Sequence, residues 1–87
     1  MALYVNKWIN NRIHNIVIRV SKKYGKAKGN SGKSNPNDLK RGMTKNQAGM
    51  FQRLIEEYKR YNGMPPNFNL PWEILVALAD EAKEQFK

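Results

Sequence analysis

ALYVNKWINNRIHNIVIRVSKKY, residues 2–24, is the stretch on which the fold turns. Polar pairs recur at Asn6-Lys7, Asn10-Asn11 and His14-Asn15. Between them fall Val5, Trp8, Ile9, Ile13, Ile16, Val17 and Val20. That spacing is near four, which puts apolar side chains on one face of a helix, rather than the two of a half-buried strand. Side-chain chemistry pulls the other way. Ile13, Ile16, Val17, Ile18 and Val20 are β-branched, and asparagine is a poor helix former. The competing reading is a β-hairpin over 2–20, with strands 2–9 and 12–20 joined at Asn10-Asn11. In it Ile16, Ile18 and Val20 alternate with Val17, Arg19 and Ser21. Periodicity is the primary signal, so an amphipathic helix over 2–24 and a mainly α fold are expected. The hairpin would make the fold α+β.

Moving outward, GKAKGNSGKSNPNDLKRGM (25–43) holds four Gly, one Pro and three Asn, with almost no apolar side chain. It reads as a loop, long for a connection inside a small domain, and therefore functional or disordered. Residues 44–62 read as a helix opened by the capping box Thr44-Lys-Asn-Gln47 and striped with Ala48, Phe51, Leu54, Ile55 and Tyr58. Gly63 suits the left-handed stop, and Pro65-Pro66 forbid continuation. Residues 71–86 read as a further helix with Pro71 in its first turn. WEILVALA is apolar nearly all round, so the N-terminal segment or a second chain must cover a side that 44–62 leaves open. The expectation is a small three-helix domain, helices about 2–24, 44–62 and 71–86, with a long basic loop. Within this one structural domain, 1–43 forms a basic N-terminal segment and flexible loop, and 44–87 a neutral helical hairpin.

The charge follows that division. The chain has 87 residues, 16 Lys plus Arg, seven Asp plus Glu and a net charge of +9. Residues 1–43 carry ten of the basic residues and one acid, Asp38, while 44–87 carry six of each, so the excess lies in the first half. Like charges at this density repel one another unless something neutralises them, which points to an anionic partner. Lys7, Arg12, Arg19, Lys22, Lys23, Lys26, Lys28, Lys33, Lys40 and Arg41 are the expected phosphate contacts, and Tyr24 an aromatic face among them. Lysine outnumbers arginine eleven to five. That favours backbone contact over bidentate base reading by arginine.

The same composition excludes several classes. With no Cys and one His there is no disulfide framework and no zinc or His-rich metal site, so no cofactor is expected. No apolar run reaches the ~20 residues that cross a bilayer. Absence of Cys fits a reducing compartment, and a cytoplasmic location is expected. Residues 1–24 share the acid-free, amphipathic character of a mitochondrial presequence, but are rich in Asn and short of Ser. AKGNSGKS (27–34) approximates a phosphate-binding loop, yet Asn35-Pro36 follows where a helix should run on. His14 has no nucleophile to serve, and Glu56-Glu57 and Asp80-Glu81-Glu84 read as solvated charge. No enzyme is expected.

MTKNQAGMFQRLIEEYKRYNGMPP (43–66) resembles the opening of the winged helix-turn-helix domain of LexA-type SOS repressors, on Thr44, Gln47, Phe51, Tyr58, Gly63 and Pro65-Pro66. The likeness covers about a quarter of the chain. After Pro66 the family continues with a short helix, a turn and a recognition helix, whereas LPWEILVALADEAKEQFK reads as one apolar helix. The likeness inclines the expectation toward DNA-associated regulation and goes no further.

Three functions compete. The first is a small basic, non-enzymatic, nucleic-acid-associated protein, an accessory or regulatory factor that binds the phosphate backbone of DNA or RNA. The second is a protein-interaction module or inhibitor, of the kind phages encode, that uses Trp72, Leu75, Val76 and Phe86 to bind an acidic partner protein, whose surface the basic half would meet, or a second copy. The third is a membrane-surface binder through the basic amphipathic 1–24.

Overall fold

The computed structural model describes the backbone of residues 2–24 and 35–86, with side chains from residue 10 onward within those spans. Four helices follow one another: α1 Ala2–Tyr24, α2 Pro36–Lys40, α3 Lys45–Tyr61 and α4 Trp72–Gln85. No strand occurs among the described residues, and the chain is a small, mainly α domain.

The hairpin reading of 2–20 is thereby corrected. Ile13, Ile16, Val17 and Val20 all turn into the core at 1–5 % exposure, and Ile18 does not join them. A strand would have put residues 16, 18 and 20 on one face and Val17 on the other. The period of four therefore overrode the β-branched composition, because burying four aliphatic side chains outweighs a few tenths of a kcal/mol of propensity at each.

α3 begins and ends as its local chemistry dictates. The Thr44 hydroxyl accepts from the Gln47 amide at 3.2 Å, and the Gln47 side chain accepts from the Thr44 amide at 2.9 Å. At the other end the Met64 amide donates to the Lys59 carbonyl at 2.8 Å and the Gly63 amide to that of Arg60 at 3.2 Å. This is a Schellman stop, and it needs the left-handed φ of +70° that Gly63 supplies. α4 has no side-chain cap. Pro71 stands just outside it as the N-cap residue, and its carbonyl accepts from Ile74 and Leu75 at 3.1 Å each.

The expected loop over 25–43 needs a correction in its second half. Asn35 caps a helical turn at Pro36–Lys40, its side chain accepting from the Asn37 amide at 3.0 Å, with Pro36 pre-set for the first position. A type II turn then closes from Lys40 to Met43, Arg41 at φ −63°, ψ 131° and Gly42 at φ +82°. Leu39 and Met43 pack on the core, and α2 lies against α4. A helix therefore does follow Ser34. It is five residues long, and Asn35 already occupies its first amides. The phosphate-loop-like 27–34 lies outside the described residues.

Side-chain pairs fix the directions of the long helices. Asn10 meets Arg53 and Ser21 meets Asn62, so α1 and α3 run the same way. Arg12 meets Gln85 and Arg19 meets Glu81, so α4 runs opposite to α1. Gln47, at the start of α3, donates to the Phe86 carbonyl beyond the end of α4 at 3.0 Å. Two parallel neighbours cannot be joined by a tight turn. The stretch between Tyr24 and Lys45 is long enough to make the connection. Phe51, Leu54, Tyr58, Leu78 and Ala82 are fully buried where α1, α3 and α4 meet. α1 supplies the cover that WEILVALA requires.

Candidate nucleic-acid interface

α1 presents four sides. The inner one is the aliphatic set of Ile13, Ile16, Val17 and Val20. The flank toward α4 is cationic. Arg19 Nη2 stands 2.6 Å from Glu81 Oε1, and Arg12 Nη1 donates to Gln85 Oε1 at 3.2 Å. Lys23 places its ammonium 5.6 Å from the centre of the Tyr24 ring. The flank toward α3 is neutral: Asn10 accepts from Arg53, His14 meets Tyr61 edge-on at 6.4 Å, and Ser21 accepts from Asn62 Nδ2 at 3.0 Å. The outer side carries Asn11, Asn15, Ile18 and Lys22, at helical spacing i, i+4, i+7 and i+11.

The expected phosphate contacts therefore divide. Arg12 and Arg19 are exposed but engaged with α4, so they fasten α1 as well as carrying charge. Lys22 and Lys23 are exposed in the last turn of α1, where cations also suit the helix dipole. Lys40 donates to Gln52 Oε1 at 2.9 Å, and Arg41 is exposed in the type II turn. Tyr24 is half-buried and packs on the core, so its ring is only partly available as a stacking face. Lys26, Lys28 and Lys33 lie outside the described residues, as does the side chain of Lys7.

The acids explain what remains unneutralised. All seven carboxylates of the sequence fall within the described residues, four of them on α4 and two on α3. Glu81 serves Arg19, and Glu57 lies 3.7 Å from Arg60. Among the described residues no carboxylate pairs with Lys22, Lys23, Lys40 or Arg41. The fold sets Glu81 against Arg19 on α1 and leaves Lys22, Lys23, Lys40 and Arg41 without a paired carboxylate among the described residues.

The expected protein-binding residues are redistributed too. Leu75 is 1 % exposed and belongs to the core, so it is corrected from a docking residue to a packing one. Val76 and Phe86 are half-buried, the latter packed on the core. Trp72 stays 40 % exposed, and Tyr61, which the apolar pattern did not single out, is 53 % exposed.

Two groups carry shifted protonation. Burial pushes the Tyr58 hydroxyl above its ordinary value, a hydrogen bond with Ser21 works against that shift, and Tyr24 adds to it. Burial lowers Lys59, opposed by Glu56, while its ammonium donates to the Pro66 carbonyl at 2.8 Å. Among the described residues no cluster of three His, Asp or Glu is placed to hold a metal, and no helix is long and apolar enough to cross a membrane. The arrangement offers exposed cations and hydrogen-bonding groups.

The sequence matches no protein-family model, and neither curated proteins nor solved structures show a significant likeness to it.

Proposed function

We propose that the chain is a small non-enzymatic protein that binds nucleic acid through the phosphate backbone, using the cations between Lys22 and Arg41. One observation carries this reading: the seven cations of that stretch face one acid within it, Asp38, and the carboxylates elsewhere in the fold leave the described ones unpaired. A polyanion relieves that repulsion and releases condensed counterions as it binds. Affinity then falls steeply with salt. Gel shifts with single- and double-stranded DNA and RNA are expected to show binding that weakens by about tenfold or more between 50 and 200 mM salt. Exchange of Lys22, Lys23, Lys26, Lys28 and Lys33 for glutamine should flatten that dependence. A chain that retards no nucleic acid at low salt would falsify the proposal.

Exposed Trp72 and Tyr61 support a second reading, in which the chain docks on a protein or on a second copy. Light scattering across a concentration series separates the two. A concentration-independent monomer that binds nucleic acid argues against self-association.

A further inference from the structure

We propose that the outer side of α1 reads base edges in the major groove of double-stranded DNA, with Asn11 and Asn15 as the adenine-reading residues. This rests on the nucleic-acid reading above and adds to it a surface, a groove and a base preference.

The exposed positions of a surface helix are ordinarily filled by strong helix formers, and by acids as readily as bases. α1 departs from this. Its 23 residues contain no acid, and its outer stripe carries two asparagines one turn apart. No described residue engages them. Asn10, one position away, accepts from Arg53, but the Asn11 and Asn15 side chains have no partner among the described residues and are exposed. Nor do they cap anything, since both lie mid-helix. A carboxamide offers one donor and one acceptor side by side, which matches the N6 and N7 edge of adenine.

The neighbours on the stripe agree with that edge. Ile18 is half-buried outside the core cluster and suits the thymine methyl group of an A·T pair. Lys22 ends the stripe with an exposed cation for phosphate or guanine. One helical turn separates Asn11 from Asn15, about 6 Å of rise, or close to two base-pair steps of duplex. Lys22 lies about 10 Å further on, where the groove wall carries phosphate. The major groove admits an α-helix whole. α1 stands at the edge of the bundle, with α3 and α4 behind it, so its outer side can enter without unpacking the core. Lysine supplies the phosphate contacts and asparagine the reading, so scarce arginine does not prevent sequence preference.

The test is selection from a random-sequence duplex pool by the full chain, run beside an Asn11→Ala/Asn15→Ala variant. Alanine is the better helix former at both exposed positions, so lost binding cannot be ascribed to a lost helix. The parent chain should enrich a short motif containing A·T pairs. The variant should lose about tenfold or more of its preference for that motif over random duplex and keep its salt-sensitive affinity for random duplex. Binding by the parent with no motif enriched overturns the inference and leaves phosphate binding standing. So does binding confined to single strands or RNA, or enrichment of the same motif by the variant. Absence of all binding at low salt removes both.

Discussion

Tyr58 shows how much one residue can join. Among the described residues it is the largest fully buried side chain, its ring lies on the apolar stripe of α3, and its hydroxyl meets Ser21 on α1. Ser21 in turn accepts from Asn62, whose amide nitrogen also donates to the Tyr58 carbonyl at 2.9 Å. The polar node is closed on itself, which is what a buried hydroxyl requires. The raised pKa has a definite sign. Below the ordinary tyrosine value of 10.0 the hydroxyl is protonated in both folded and unfolded chains, so its titration gives stability no pH dependence there. Above that value the unfolded chain ionises first, so stability falls as pH rises toward the folded pKa. Tyr58→Phe should lower stability by about 1 kcal/mol at neutral pH and reduce the alkaline loss. Urea midpoints at pH 8 and pH 11 check this, and an equal loss in variant and parent would contradict it. The stripe that holds Tyr58 is legible from spacing alone. Its partner Ser21 is not, because nothing local says which polar residue of α1 will lie opposite.

At the scale of elements, what the sequence reveals is what is written locally. Thr44 and Gln47 announce the start of α3 three residues apart, and Gly63 with Pro65 announces its end. The Schellman geometry makes Gly63 the sharper test. No atom lies within 4 Å of where a Cβ would stand, so Gly63→Ala meets only the backbone penalty of a left-handed φ. That penalty is about 1 kcal/mol, to be read from the urea midpoint, and an unchanged midpoint would show that the stop does not depend on glycine. α2 has an equally local start in Asn35-Pro36, yet its five residues contain one apolar side chain, Leu39, and no period can be read from one. α1 posed the opposite difficulty, with strong periodicity and a composition that denied it. Burial decided in favour of the period.

Relative direction belongs to the whole molecule and is the least legible feature. The α3–α4 pair is antiparallel because ten residues join them, a length any reader can interpret. The parallel course of α1 and α3 follows from contacts such as Asn10 to Arg53 and Ser21 to Asn62, which no local pattern encodes. For the same reason the candidate interface was only partly legible. The charge excess is plain from counting, but Arg12 and Arg19 prove tied to α4, and Leu75 proves to be core.

The parallel course also sets an order of events in time. Closing the α3–α4 hairpin brings together segments near in sequence, whereas docking α1 on α3 closes a loop about twice as long, across a stretch poor in apolar anchors. The hairpin should therefore form early and α1 should settle last. Val17→Ala, in the seam that α1 brings, is expected to speed unfolding and leave the folding rate nearly unchanged, whereas Leu78→Ala, buried on α4, should slow folding. Stopped-flow chevrons report both, and a slowed folding limb in Val17→Ala would reverse the order. The helix that docks last is also the first to leave, so α1, with Arg12, Arg19, Lys22 and Lys23, joins the rest only after the main barrier of assembly has been crossed.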